Sequence, residues 1–403
     1  MSSAIVTGAT GILGREIVKQ LGKDTQKWKT IHALSRSQKD EYPSNVVHNH
    51  IDLTGSVQEM AKDLKDVKAE YVFFAAYLKE DSEQANWETN GKMIENFFSA
   101  LELTGAVKDL KRIILVTGLK QYGVHLGEVK IPMMESDPWL EGGSWPPNFY
   151  YRQQHSLHKF CEKNKHVSWV VTYPNDVIGV AKGAFMNLAT SLGLYAAVEK
   201  ELGRDLEFPG NEAFYNMFDV FTSSKIHAEF CEWAALEPKA ANQAFNIHNG
   251  DVESWQNLWP HVARRFGMKV KADQFASASA KGLESVNVLT DKPPISVTAA
   301  ELGLKGKITP SKVANRISLV KWSQQEEVKK AWEKLAGREG LDKTAFEKSP
   351  WWFLDFVLGR SYEVVASMSK AREFGWTGYI DTWKSLSDAF GELEAEKILP
   401  KTH

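Results

Sequence analysis

The opening stretch "SAIVTGATGILGREIVKQL" constrains the fold more than any other part of the chain. Ala4 to Val6 read as a short buried strand, and a helical pattern begins at about Gly11. Gly8, Gly11 and Gly14 stand at the turn between the two. Glycine there permits a tight turn, close approach of backbone to a pyrophosphate, and close packing of helix on strand. The backbone from Thr10 to Ile12 opens the helix, whose first N–H groups have no intrahelical partner and favour an anion. A turn of this kind, set between a strand and a helix, points to dinucleotide binding.

The segments that follow extend the pattern. "KTIHALSR" reads as a second strand ending near Leu34, and "NVVHNHIDL" as a third ending at Asp52. "AEYVFFAAY" is apolar on both faces, as a parallel strand between two helix layers should be. "NWETNGKMIENFFSALEL" places Met93, Ile94, Phe97, Phe98 and Leu101 at helical spacing. "KRIILVTGLK" is a fifth strand, and a helix from about Phe149 leads to a sixth, "VSWVVTYP". Strands alternating with helices predict an α/β chain with a Rossmann-type doubly wound parallel sheet. After Pro174 the regularity lapses, although "FNIHNG" reads as one more strand returning to the sheet. The predicted organisation is a dinucleotide-binding domain over 1–180 with a returning segment near 215–250. A smaller, mostly helical substrate lobe takes 181–214 and 251–403, with a peripheral excursion over about 270–315 that includes the loops "ASASAKG" and "DKPPISV".

Composition narrows the class. The chain has 403 residues, 43% hydrophobic and 25% charged, enough apolar content for a sizeable core. A net charge of −2 argues against nucleic acid as the main partner, because phosphate backbones call for a basic surface. Two cysteines, Cys161 and Cys231, make no disulfide framework and suit a reducing compartment. No basic segment precedes an apolar stretch at the N-terminus, and no apolar run approaches the roughly 18 residues of a membrane helix. A cytoplasmic protein with no membrane partner and no metal is expected. The fourteen tryptophans read as core packing or, alternatively, as the wall of a large apolar pocket.

The second strand selects the dinucleotide. A carboxylate at its end would take the 2′-hydroxyl of NAD, whereas arginine accommodates a 2′-phosphate. "ALSRS" offers Ser35, Arg36 and Ser37, with no carboxylate before Asp40, so NADPH is expected. Asp52 and Leu53 end the third strand where the adenine edge would lie. Ala75, Ala76 and Tyr77 end the fourth, where adenosine and the nicotinamide ribose would run.

A turn of this type commonly accompanies a Tyr-x-x-x-Lys catalytic pair, yet here the pattern fails. In "PPNFYYRQQHSLHKF", Gln154 stands four residues after Tyr150 and His155 four after Tyr151. The fifth strand ends "VTGLKQYG", and ligands bind outside the carboxyl ends of such strands. Thr117, Gly118 and Lys120 therefore face the same cleft as a tyrosine from the next helix. An ammonium beside a phenol lowers its pKa. On spacing alone Lys159, two turns along the helix, is a rival for the lysine role. His125 reads as a second proton donor or as a loop histidine without chemistry.

The "VTGLKQYG" and "NFYY" segments resemble those of the progesterone 5β-reductase/iridoid synthase-like (PRISE) family of atypical short-chain dehydrogenases, whose lysine comes from a TG-x-K-x-Y segment. The likeness continues through "YPNDVIG", "FMNLATSLGLYAA", "LEFPG", "AFNIHNGDVESWQNLWPHVARRFG", "PWWFLDFVLG" and "SMSKAREFGW". It implies that Lys120 and Tyr151, the second of the pair, are catalytic, with Tyr150 in packing. It also implies that Tyr173, Pro174, Asn175 and Val177 border the cofactor. Three positions depart from the family pattern. Ser37 stands where the family has a second arginine, Tyr173 where it has an arginine, and Leu126 where it has an active-site phenylalanine.

The implied reaction is NADPH-dependent 1,4-reduction of the C=C bond in a small-molecule α,β-unsaturated carbonyl compound. Reduction at the carbonyl carbon is the rival within the same residues, and a non-catalytic NADP(H)-sensing regulator is the rival outside enzymes. The reading leaves room for a homodimer.

Overall fold

The computed structural model describes residues 1–38, 40–142, 145–182, 187–276 and 282–402, so most of the "ASASAKG" loop lies outside the described residues. Seven parallel strands form the central sheet: β1 (Ser2–Thr7), β2 (Trp28–Ser35), β3 (Val46–His50), β4 (Tyr71–Phe74), β5 (Arg112–Val116), β6 (Ser168–Tyr173) and β7 (Gln243–Asn246). Their order is β3-β2-β1-β4-β5-β6-β7. The chain leaves β1 toward β2 and later returns to the other side of β1 with β4. The crevice at that reversal is where a doubly wound sheet receives its ligand.

Strand alternation explains why the sheet needs helices on both faces. Ile5, Leu34, Val72 and Phe74 are buried with Met60 of α2 (Val57–Asp63) and with Met93, Phe97 and Leu101 of α3 (Glu83–Thr104), while α4 (Phe149–Lys163) adds Leu157 and Phe160. Ala4, Val6, Phe73 and Ile114 point the other way, against Ile17 and Leu21 of α1 (Ile12–Gly22) and Phe230 of the helix Ser224–Leu236. Arg112 locks that helix to β5: its Nη1 donates to the carbonyls of Ala234 (2.6 Å) and Glu237 (2.7 Å). A cation on the last carbonyls also suits the helix dipole.

A separate apolar cluster holds most of the remaining helices together. It joins Leu188–Glu201, Trp255–Arg265, Glu326–Glu339, Trp351–Leu358 and Thr382–Ala395 around Trp255, Trp259, Trp322, Trp332 and Trp351, all buried. Most of the tryptophans here are therefore core. Trp352 differs: it is 44% exposed, with Lys79 Nζ 3.5 Å from its ring centroid. Within the segment expected as a peripheral excursion over about 270–315, two described strands pair with each other and reach the lobe. Ser311–Asn315 pairs antiparallel with Ser285–Thr290, and the Ala314 amide donates to the Gly359 carbonyl at 2.7 Å.

Candidate active site

At the phosphate end the backbone makes the site. Gly8 has φ of +65°, and a Cβ there would lie 2.7 Å from the Ala75 carbonyl oxygen and 2.9 Å from the Ala76 Cα. The glycine is what lets β1 and β4 close at the crevice. A Cβ on Gly14 would collide with the Gly8 carbonyl. Gly11 caps α1 without any side chain, which leaves the first helical turn free to receive a pyrophosphate. These features fit a dinucleotide.

Around the end of β2, Arg36 and Ser37 are exposed, and the buried Ser35 donates its hydroxyl to the Ser37 carbonyl at 2.9 Å. Asp40, the first carboxylate after the strand, is drawn away by Arg15, with Nη2 to Oδ1 at 2.9 Å. Arg15 also donates to the Val180 carbonyl at 3.1 Å. No ribose-binding carboxylate stands at the strand end among the described residues. Asp52 Oδ1 accepts from the amide and hydroxyl of Thr54, at 2.9 and 2.7 Å. Those bonds hold its carboxyl below the usual range, with a smaller contribution from Arg36. Leu53 is buried beside it.

At the other end, side chains gripping backbone make the site. Lys120 sits on a short 3₁₀ turn, Leu119–Tyr122, directly after β5. The Leu119 amide donates to the Pro174 carbonyl at 3.0 Å, and the Thr117 hydroxyl to the Thr172 carbonyl at 2.9 Å. Asn148 joins this turn to α4. Its Oδ1 accepts from the Tyr150 amide as the helix cap (3.1 Å), and its Nδ2 donates to the Lys120 carbonyl (2.9 Å). The lysine-bearing turn and the tyrosine-bearing helix thus share one buried amide, a link that sequence reading did not single out. Its only signal was an asparagine just ahead of the helix.

The two tyrosines have opposite fates. Tyr151 is 3% exposed; its hydroxyl donates to the Gln121 carbonyl (2.6 Å) and accepts from the Leu140 amide (3.0 Å). Its ring stacks on Trp139 with centroids 5.0 Å apart, and burial pushes its phenol up to about 12. Tyr150 turns to the cleft: its hydroxyl lies 3.2 Å from where a Gly118 Cβ would be, beside the Pro174 carbonyl. No hydrogen bond from that hydroxyl to the protein occurs among the described residues. Phe149 is the hub of the cluster. Tyr150 meets its ring edge-on at 4.5 Å, Tyr77 stacks on it at 5.3 Å, and Lys120 Nζ lies 5.4 Å from its centroid. The geometry thus sets Lys120 and Tyr150 around the same Phe149 ring, and leaves the hydroxyl of Tyr151 committed to the protein.

The electrostatics differ from the sequence expectation too. Lys120 Nζ pairs with Glu83 Oε2 at 2.5 Å, at the first residue of α3. Burial lowers the Lys120 pKa, with Glu83 opposing. With that ammonium paired, burial, Tyr77 and Glu83 raise the Tyr150 phenol instead of lowering it. Gln154 fills the position four residues after Tyr150. Its Nε2 donates to Gln121 Oε1, and its Oε1 accepts from the Tyr173 hydroxyl, both at 2.8 Å. Tyr173 is therefore buried with its hydroxyl engaged by Gln154. Lys159 is exposed on the outside of α4. His125 Nδ1 is buried without a partner among the described residues; burial, then Lys120, keep its imidazole neutral.

Beyond Pro174, the Asn175 side chain donates to Asp219 Oδ1 (3.1 Å) and the Val220 carbonyl (2.6 Å), and Val177 pairs with Thr222. No helix among the described residues is long and apolar enough to cross a membrane, and no cluster of three or more metal-ligating side chains occurs among them.

Comparison with known proteins places this architecture. A family model described as the PRISE-like Rossmann-fold domain matches residues 4–295. The chain is 45% identical to an uncharacterized protein of Schizosaccharomyces pombe, covering 99% of this chain and 98% of that one. It is 27% identical to a 3-oxo-Delta(4,5)-steroid 5-beta-reductase of Arabidopsis thaliana, covering 99% and 93%. Among solved structures, the Bordetella bronchiseptica enzyme WbmG superposes with a TM-score of 0.57 at 12% identity, covering 99% and 96%, a likeness of fold.

Proposed function

Because the chain belongs to the PRISE-like Rossmann-fold family, oxidoreductases of the extended short-chain dehydrogenase type with a nicotinamide cofactor, we propose that it reduces the activated C=C bond of an α,β-unsaturated carbonyl compound with NADPH. The observation that carries this reading is Tyr150, a phenol whose hydroxyl has no protein partner among the described residues, set around the Phe149 ring with Lys120. The name of the Arabidopsis relative identifies an enone steroid as that protein's substrate, which supports the substrate class.

When bound, NADPH supplies the hydride that reaches the β-carbon. Tyr150 donates a hydrogen bond to the carbonyl oxygen as negative charge moves onto it, an electrostatic contribution that is commonly the largest in catalysis. Its raised pKa keeps it protonated and ready to donate at neutral pH. Lys120, beside the same Phe149 ring, would hold the nicotinamide ribose. Gly8, Gly11 and Gly14 would hold the pyrophosphate, and Arg36 with Ser37 the 2′-phosphate. A single arginine there makes a lighter grip than two. The α-carbon takes its proton from water, since an enolate needs stabilisation before it needs an acid. The proposed setting is the cytoplasm, with a small-molecule substrate seated between the 1–180 domain and the lobe of 181–214 and 251–403.

The test is NADPH oxidation across a panel of enones, aldehydes and ketones, with product analysis. Saturated carbonyl products are expected. Allylic alcohols throughout would assign carbonyl reduction instead, and NADPH binding with no turnover on any member would assign a sensor.

A further inference from the structure

The two residues after Pro174 are gripped by a buried cluster that the proposed chemistry does not use. Arg360, 2% exposed, follows the helix Trp351–Leu358 in the C-terminal lobe. Its Nη1 donates to Asp176 Oδ2 at 2.6 Å and to Asp219 Oδ2 at 3.2 Å, and its Nη2 to Asp176 Oδ1 at 3.1 Å. Phe356 and Phe214 lie 5.1 and 5.9 Å from the guanidinium carbon and shield it from water. Asp219 in turn accepts from Asn175 Nδ2 and from the Val220 amide. The Asn175 amide donates to the Thr222 hydroxyl at 2.9 Å. Asp176 itself has φ of +29°, a conformation that only its surroundings maintain.

A short path leads from this cluster to the reacting groups. Asp176 and Asn175 fix the chain at Pro174, whose carbonyl takes the Leu119 amide and so holds the Lys120 turn. The same carbonyl and the Tyr150 hydroxyl both lie 3.2 Å from the space above Gly118. We propose that Arg360 is a positioning residue: through its bidentate pair with Asp176 it sets the Pro174 carbonyl, and thereby the distance between Lys120 and Tyr150. Because Arg360 belongs to the lobe and Lys120 to the sheet, the pair also ties the seating of the lobe to the geometry of the site. This inference rests on the reading of Lys120 and Tyr150 given above.

Asp176→Asn tests it with least damage. It keeps the shape, asparagine tolerates positive φ, and Arg360 remains paired one-to-one with Asp219. Hydrogen exchange of the peptide spanning Leu119–Tyr122 should speed up about tenfold while the lobe helices exchange as before. The turnover number on an enone should fall about tenfold or more with NADPH affinity within about twofold, since a small misplacement costs chemistry before binding. A deuterium isotope effect on hydride transfer should grow as chemistry becomes limiting. Arg360→Lys, which keeps the charge but loses the fork, should show the same pattern. Unchanged exchange at the turn together with unchanged turnover would overturn the proposal. Uniformly faster exchange across the chain in both variants would overturn it too, leaving the cluster a purely structural role. Absence of enone turnover in the unmodified protein would sink the functional reading alone, and the exchange result would still decide this one.

Discussion

The two ends of the groove along the sheet's carboxyl edge are built by different means. At the phosphate end, absent side chains make the site: Gly8 and Gly14 leave space that a Cβ would fill, and Gly11 leaves a helix N-terminus uncapped. At the tyrosine end, present side chains make it. Asn148 clasps the Lys120 carbonyl, Gln154 threads Gln121 to Tyr173, and Tyr151 spends its hydroxyl on Gln121 and Leu140. A site made of missing atoms is rigid and local. A site made of hydrogen bonds across distant segments depends on the whole fold to bring its parts together.

The comparison breaks most visibly at Gly8. Gly8→Ala puts a Cβ into backbone contacts of 2.7 and 2.9 Å at a positive φ. Strain and overpacking together should cost about 2–4 kcal/mol. Thermal unfolding and NADPH titration should both show it; normal binding and an unchanged melting point would remove the claim that sterics build this end. A smaller effect is expected at Arg36, which is exposed. Arg36→Ala should weaken NADPH by about 1.5–3 kcal/mol, the worth of one charge-assisted hydrogen bond, and leave NADH nearly unchanged. Equal affinity of the unmodified protein for the two cofactors would contradict it.

The same division explains what the sequence could tell. The strand, glycine turn and helix were readable because turn geometry, strand burial and helix start are local properties, and the alternation of Ile5 with Ala4 and Val6 follows from a period of two. The start of α4 at Phe149 was readable for the same reason, whereas spacing alone left Lys120 and Lys159 as rivals and only the family resemblance chose between them. Which tyrosine faces the cleft was not. Two adjacent helical residues point about 100° apart, so one of them had to turn away. The choice depends on where Gln121, Leu140 and Trp139 arrive in space, and no spacing rule contains that. The lowered tyrosine pKa failed similarly, because burial raises the phenol and Glu83, 37 residues upstream of Lys120, pairs with the ammonium. Arg360 was unreadable for a like reason: its partners Asp176 and Asp219 lie 184 and 141 residues away.

The central claim is that Tyr150, and not its neighbour, meets the substrate's oxygen. It is tested most directly by the turnover of Tyr150→Phe and Tyr151→Phe on an enone that the unmodified protein reduces. Loss of the cleft hydroxyl in Tyr150→Phe should lower turnover about 10²–10³-fold, as for a missing oxyanion donor, with the melting temperature unchanged. Tyr151→Phe should keep turnover within about tenfold but lose about 1–3 kcal/mol of stability, because the Gln121 carbonyl and Leu140 amide lose their buried partner. The reverse ranking, with Tyr151→Phe inactive yet stable and Tyr150→Phe near normal, would contradict the account and return the role to the residue that the family resemblance implies.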